Sequence, residues 1–110
     1  MTASNDRRSN QRFQAKPGDR IIYGATSADI RNLSVDGVFV LDPDPLQVGS
    51  EIIFALQAGD QEISLEGIVR HSVEQQGMGI QFTNVSSVSK RRLRIHIAGL
   101  VAALDQTIEV

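Results

Sequence analysis

The fold is decided by the stretch IIFALQAGDQEISLEG, residues 52–67, in which apolar and polar side chains alternate on both sides of a turn signal. In an extended chain, side chains two residues apart point to the same face, so this alternation predicts strands with one buried face. The turn signal is Ala58-Gly59-Asp60, which connects two such strands as a hairpin. The side chains predicted to face inward are Ile52, Phe54, Leu56, Ile63, Leu65 and Val69.

Similar signals recur along the chain on both sides of this hairpin. They lie at residues 21–23, 26–31, 38–41 and 78–82. Gly67 and Ile68 disturb the alternation, which predicts a bulge where the strand bends. About six short strands with tight connections are typical of an antiparallel barrel or a sandwich, and not of βαβ units.

The C-terminal segment changes to a helical period. Its apolar stripe consists of Leu93, Ile97, Leu100, Val101 and Leu104. This spacing predicts a helix that packs on the barrel or closes one mouth of it. Ser86, Ser87 or Ser89 is suited to cap its start. Gly99 interrupts the stripe, so we expect the helix to bend or end there.

Length and composition fit one domain with a self-sufficient core. We expect a flexible N-terminal arm at residues 1–16, the globular unit at residues 17–104 and a short tail at residues 105–110. The chain has no apolar run long enough for a membrane span and no signal-peptide core, so we expect no membrane contact. The absence of cysteine excludes a disulfide framework and is compatible with the cytoplasm.

The segment NLSVDG, residues 32–37, carries a candidate binding motif at the end of a predicted strand. Asn32 and Ser34 stand two residues apart and are predicted to share a face. Gly37 permits a turn or a close backbone approach. Alone, this pattern also describes many ordinary turns.

Arg8 and Arg12, in the polar arm, make the motif more informative. A guanidinium presents a planar fork of donors that can bind phosphate or the O6/N7 edge of guanine, and it can also stack on a base. Arginines on an arm, together with neutral polar groups on a strand edge, suit a ligand that has phosphates and purine edges. The formal net charge of −2 argues against coating nucleic acid through bulk charge.

At these residues the chain resembles the PilZ domain family of bacterial cyclic di-GMP receptors, and the resemblance extends over residues 7–104. It implies an all-β fold, a six-stranded antiparallel β-barrel with a C-terminal α-helix, with the ligand bound under the arm. By resemblance, Arg8 and Arg12 hold phosphate and guanine, and Ser34 faces the ligand. Gly37 lets the backbone pass close, and Asn32 reads the guanine N1/N2 edge.

Three further residues complete the predicted ligand set. Arg7 precedes the arginine motif, at a position where a basic residue in the family is associated with two stacked ligand molecules. Arg70 and Gly79 lie on later strands that the resemblance places near the site. Asn32 offers one carbonyl oxygen where the family often has aspartate, so we expect weaker discrimination of guanine.

The residues favour a binding module over an enzyme. We find no metal-ligand spacing, no phosphate loop with lysine and no histidine near a plausible nucleophile, so we expect no catalytic residue, metal or cofactor. Cyclic di-GMP is the expected ligand and a protein effector the expected partner. Ile95 and Ala102 lie off the main helical stripe and leave room for a homodimer. In the family, outputs include motility, exopolysaccharide synthesis in biofilms and virulence control.

Two other interpretations remain open at this point. One is a PilZ-like adaptor that works through protein contacts without nucleotide, against which the intact motif residues count. The other is a nucleic-acid-binding barrel, which the single tyrosine, four phenylalanines and lack of tryptophan disfavour because they leave few stacking platforms.

Overall fold

The computed structural model describes residues 12–109, with side chains to residue 101, and strands make up about half of these residues. The elements are β1 (Phe13–Gln14), β2 (Arg20–Tyr23), β3 (Thr26–Leu33), β4 (Gly37–Leu41), β5 (Glu51–Ala58), β6 (Gln61–Val73), β7 (Gly77–Thr83) and α1 (Ser87–Glu109). Among these elements no helix is long and apolar enough to cross a membrane.

Six of the strands close into an antiparallel barrel. The hydrogen-bonded order is β3-β2-β5-β6-β7-β4, and the pairing of β4 with β3 completes the circle. The predicted six-stranded barrel with a C-terminal helix is therefore confirmed, and the sandwich is excluded. The seventh strand, β1, pairs with the C-terminal end of β3, with Phe13 opposite Leu33 and Gln14 opposite Asn32. It lies on the same edge of β3 as β2, which pairs with the N-terminal part of that strand.

The inward side chains fill the barrel as the alternation predicts. On β5, Ile52, Phe54 and Leu56 are buried, while the residues between them are less so. The pattern continues through β6 without interruption as far as Val69. The bulge predicted at Gly67 and Ile68 is wrong, because Gly67 occupies a regular inward position. A Cβ there would lie 2.4 Å from Cγ2 of Ile80, which fills that space instead.

Helix α1 packs its apolar stripe into the same hydrophobic cluster as the barrel interior, with Leu93, Ile97 and Leu100 buried. Its start is capped by Ser86, whose hydroxyl oxygen accepts a hydrogen bond from the Ser89 amide at 3.1 Å. The helix continues past Gly99 to Glu109, so the predicted end at Gly99 is wrong. Packing of the stripe outweighs the low helix propensity of one glycine, which costs about 1 kcal/mol.

A buried carboxylate fastens the helix to the turn between β1 and β2. Oδ2 of Asp19 lies 2.8 Å from Nε2 of His96 on the helix, and it accepts a hydrogen bond of 3.2 Å from the Lys16 amide. Between the ends of β2 and β4, the hydroxyl of Tyr23 donates to the Asp42 carboxylate. Burial, and then this hydrogen bond, raises the pKa of Tyr23 well above its usual value of 10.0.

The boundaries at both ends differ from those predicted. Strand β1 lies within the segment predicted as the arm, residues 1–16, and the Ala15 amide also donates to the Arg31 carbonyl at 3.1 Å. Phe13 and Gln14 of that segment therefore belong to the sheet, whereas residues 1–11 lie outside the described residues. At the other end, α1 extends through most of the predicted tail, residues 105–110.

Candidate functional site

A bulge in β3 turns Asn32 away from the core. Ile30 pairs with Val40 and Asn32 with Phe39, so Arg31 is an extra residue on its strand. In a regular strand, Asn32 would follow Ile30 by two positions and face the interior. Because of the extra residue, Leu33 faces inward instead and Asn32 lies half-buried on the outside. The displaced Arg31 covers the ring of Phe39, with its guanidinium carbon 4.9 Å from the ring centroid.

Arg12 and Asn32 contact each other directly. Arg12 immediately precedes β1, and its Nη1 donates a hydrogen bond of 2.8 Å to Oδ1 of Asn32. Arginine has no acceptor, so the amide must turn its oxygen toward the guanidinium and its NH2 group elsewhere. The acceptor that was predicted to read the guanine N1/N2 edge is therefore already bound to Arg12.

The turn after β3 occupies the hydroxyl of Ser34. This side chain is 2% exposed, and its Oγ accepts hydrogen bonds of 3.1 Å from the amides of both Asp36 and Gly37. The Ser34 amide donates in turn to the Gly37 carbonyl at 2.9 Å. Strand β3 ends at Leu33, so the predicted shared face of Asn32 and Ser34 does not apply. In this structure the Ser34 hydroxyl holds the turn.

Gly37 is required by the close approach of β4 to β7. A Cβ at this position would lie 2.4 Å from the carbonyl oxygen of Ile80, and 3.5 Å from Nη2 of Arg12. Gly37 therefore serves as predicted for a close approach, although the backbone that approaches it belongs to the barrel itself.

A second bulge, in β6, brings Arg70 and His71 to the outer surface together. Val69 pairs with Ile80 and His71 with Gly79, which leaves Arg70 as the extra residue. Without it, His71 would continue the inward series that ends at Val69. Nε of Arg70 donates a hydrogen bond of 2.7 Å to Oε1 of Gln81 on the neighbouring strand.

These features surround an open cavity of about 220 Å³. Its lining consists of Arg12, Ser34, Asp36, Arg70, His71, Gly79, Ile80 and Gln81. Four predicted site residues are in that lining, and Asn32 and Gly37 lie beside it through their contacts with Arg12. Arg7 and Arg8, also predicted, lie outside the described residues. Two guanidinium groups and one carboxylate give the described cavity a positive balance.

Four lining residues were not among the predicted site residues: the apolar Ile80 and the polar Asp36, His71 and Gln81. Asp36 lies inside the NLSVDG segment, so the sequence predicted that it is near the site but did not predict that it lines the cavity. His71 follows Arg70, and only the bulge places both on one surface. Gln81 points outward from β7, and its side chain accepts the hydrogen bond from Arg70. Within the described residues, no group of three His, Asp or Glu side chains could hold a metal ion.

Comparison with known proteins agrees with this architecture. The family model of the PilZ domain matches residues 6–99 of the chain. An uncharacterized Legionella protein, Lpg0364, has a similar crystal structure, with a TM-score of 0.66 and 17% sequence identity over 86% of this chain and 97% of that chain. At this identity the likeness concerns the fold alone. No curated protein matches the chain.

Proposed function

The chain belongs to the PilZ domain family, a family of receptors for cyclic di-GMP, and we propose that it binds cyclic di-GMP at the cavity beside Arg12. The observation that carries this proposal is the position of Arg12. Its guanidinium bonds to Asn32, lies over Gly37 and lines the same cavity as Arg70. All four residues belong to the set that the resemblance assigns to the ligand.

The two arginines provide the groups that bind phosphate. Each guanidinium can donate two parallel hydrogen bonds to a phosphodiester, and such charge-assisted bonds are roughly twice as strong as neutral ones. Neither arginine is bonded to a buried partner, because Arg12 bonds to the amide oxygen of half-buried Asn32 and Arg70 to the amide oxygen of exposed Gln81. Arg12 donates to Asn32 through Nη1 alone, so its other N–H groups can bind a phosphate while that bond is kept. At Arg70, a phosphate can replace Gln81 at little cost to the fold.

Asp36 is suited to the guanine edge that Asn32 cannot fully read. The N1 and N2 groups of guanine are both donors, and an ionised carboxylate offers two acceptor oxygens. Asp36 is the carboxylate in the cavity lining. The Asn32 amide, with its oxygen on Arg12, retains an NH2 group that can donate to guanine O6 or N7. In this arrangement the acceptor comes from the turn and the donor from the strand.

The cavity accommodates part of the ligand. Pockets that enclose a whole drug-sized molecule measure roughly 300–1,000 Å³, whereas this one measures about 220 Å³. The rest of cyclic di-GMP then lies on the barrel surface, where Arg7 and Arg8 contact it from the arm. Fixing the arm costs roughly 1–2 kcal/mol per residue, which the arginine contacts offset. The surface formed by the bound arm and ligand engages a protein effector.

Isothermal titration of cyclic di-GMP at moderate salt tests the proposal. We expect Arg12→Ala to weaken binding by about 1.5–3 kcal/mol, roughly 10- to 150-fold, because hydrogen bonds to charged groups contribute in that range. The matched control is Arg20→Ala. Arg20 is also exposed, but it lies 3.7 Å from Asp29 and does not line the cavity. It should bind as the wild type does.

Two outcomes would contradict different parts of the proposal. A wild-type protein without measurable affinity would overturn the receptor function and leave the adaptor interpretation. Binding that survives Arg12→Ala unchanged would overturn the site while the function stands. The stoichiometry from the same titration reports whether one or two ligand molecules bind. By resemblance, the basic residue at Arg7 predicts two.

A further inference from the structure

Helix α1 exposes apolar side chains on the face opposite its buried stripe. Val88 and Ile95 are 59% and 57% exposed, whereas the Leu93 side chain between them is buried. A separation of seven residues places Val88 and Ile95 on the same face, two turns apart. Arg91 lies between them on that face. We call Val88, Arg91, Arg94 and Ile95 the helix surface.

The charged side chains on this part of α1 do not stabilise the helix. Lys90, Arg91, Arg92 and Arg94 all lie in its N-terminal half, and its first turn has no acidic residue. Cations near a helix N-terminus oppose the macrodipole. The ion pairs found within residues 12–101 involve other side chains. Arg92 donates a hydrogen bond of 3.3 Å to the Glu62 carbonyl, whereas Lys90, Arg91 and Arg94 take part in none of these ion pairs and fit a negatively charged partner.

The outer face of β5 and β6 has the complementary character. Ile53 is 80% exposed, the most exposed of the large apolar side chains described. Its cross-strand partner is Glu66, and Glu51 stands two residues before it on the same face. Both carboxylates are exposed. We call Glu51, Ile53 and Glu66 the strand surface.

The two surfaces are neighbours on the molecule. A cavity of about 240 Å³ has Ile53 and Glu66 on one side and Ser86 and Ser89, at the start of α1, on the other. The Ser89 hydroxyl also donates to the Ser64 carbonyl on β6 at 2.8 Å, which fixes the helix against that strand. A two-fold dimer needs patches that can contact each other reciprocally, and adjacent complementary patches meet this requirement.

We propose that a second copy of this chain covers both surfaces. The helix surface of each protomer docks on the strand surface of its partner, so that Val88 and Ile95 pack near the partner's strand and the arginines meet the carboxylates. Apolar centres with charged rims are typical of protein interfaces. None of the residues of the helix surface or the strand surface lines the cavity at Arg12, so the dimer stands or falls independently of cyclic di-GMP binding.

Charge reversal on the full-length chain without ligand tests the dimer. Arg91→Glu places a carboxylate opposite carboxylates, and Glu66→Arg places a guanidinium opposite guanidinium groups. We expect each variant alone to dimerise at least about tenfold more weakly, measured by sedimentation equilibrium, because like charges at an interface are costly. A heterodimer of the two variants has two contacts between position 91 of one protomer and position 66 of the other. One contact has the native charges and the other has both charges reversed, so each joins opposite charges and the mixture should dimerise like the wild type.

A second pair of variants separates the interface from general effects of surface polarity. Ile53→Ser should weaken the dimer, whereas Val48→Ser, at an exposed position in the turn before β5, should not. A wild-type chain that stays monomeric up to millimolar concentration would overturn the proposal. So would a mixture of Arg91→Glu and Glu66→Arg that fails to recover. A monomer that instead binds vesicles of anionic lipid through α1 would overturn it and assign the helix surface to membranes.

Discussion

Gly37 and Gly79 provide a sharp test of the site, because they border the same cavity but have different surroundings. A Cβ at Gly37 would lie 2.4 Å from the Ile80 carbonyl oxygen, inside any normal contact. That oxygen belongs to a paired strand and can move only if β4 and β7 separate. We expect Gly37→Ala to lower the free energy of unfolding by about 1–3 kcal/mol, the usual range for overpacking.

A Cβ at Gly79 would meet its nearest neighbour, Cδ2 of His71, at 3.4 Å, which is an ordinary contact. We therefore expect Gly79→Ala to change the free energy of unfolding by less than about 0.5 kcal/mol. The added methyl group projects from the cavity lining, however, and takes space from the ligand. Affinity for cyclic di-GMP should fall about tenfold, since a misfit of one methyl group is worth roughly 1–3 kcal/mol.

Thermal unfolding followed by circular dichroism measures the first effect, at roughly 4–8 °C per kcal/mol for a domain near this size. Isothermal titration measures the second. If Gly37→Ala unfolds at the wild-type temperature, the close approach of β4 and β7 does not explain the glycine. If Gly79→Ala binds as tightly as the wild type, the cavity is not the ligand site.

Three other predictions concern single side chains. The raised pKa of Tyr23 means that folding favours its neutral form, so this contribution to stability is fully present below about pH 10 and is lost progressively as the pH rises above it. Tyr23→Phe should therefore show a smaller decline in urea stability between about pH 9 and pH 11. Asp19→Ala leaves the Lys16 amide and His96 without their acceptor, and we expect urea unfolding to show a loss of about 1–3 kcal/mol; unchanged stability would mean that Asp19 does not hold the turn on the helix. Arg70→Ala should leave stability within about 0.5 kcal/mol but reduce affinity several-fold in titration, and unchanged affinity would remove Arg70 from the site.

The barrel could be predicted from the sequence because its strands alternate over long stretches, as residues 52–56 do. The two bulges could not. Each adds one residue without a distinctive composition, yet each reverses the facing of the residues that follow it. The bulge at Arg31 turns Asn32 outward, and the bulge at Arg70 does the same for His71. A strictly alternating interpretation would place both side chains in the core.

The role of Ser34 was ambiguous for a different reason. An Asn-x-Ser-x-x-Gly segment describes a ligand site and also a local turn in which the hydroxyl bonds to backbone amides. The structure uses the hydroxyl for the turn and still leaves Ser34 in the cavity lining. The pattern therefore predicted a residue that lines the proposed site, but the choice of hydrogen-bond partner depends on where β3 ends.

The short strand β1 tethers the N-terminal arginine motif to the barrel beside Asn32. Its pairing with β3 fixes Phe13 opposite Leu33, and hence Arg12 beside Asn32. A residue at position 8 can lie at most about 14 Å from Arg12 along an extended chain. A ligand already held at Asn32 would meet that second arginine at an effective concentration on the order of millimolar, without any need for a further encounter. Affinity should therefore depend on the number of residues between positions 8 and 12, and glycines inserted there would lower the effective concentration of the second arginine even though every contacting side chain is retained.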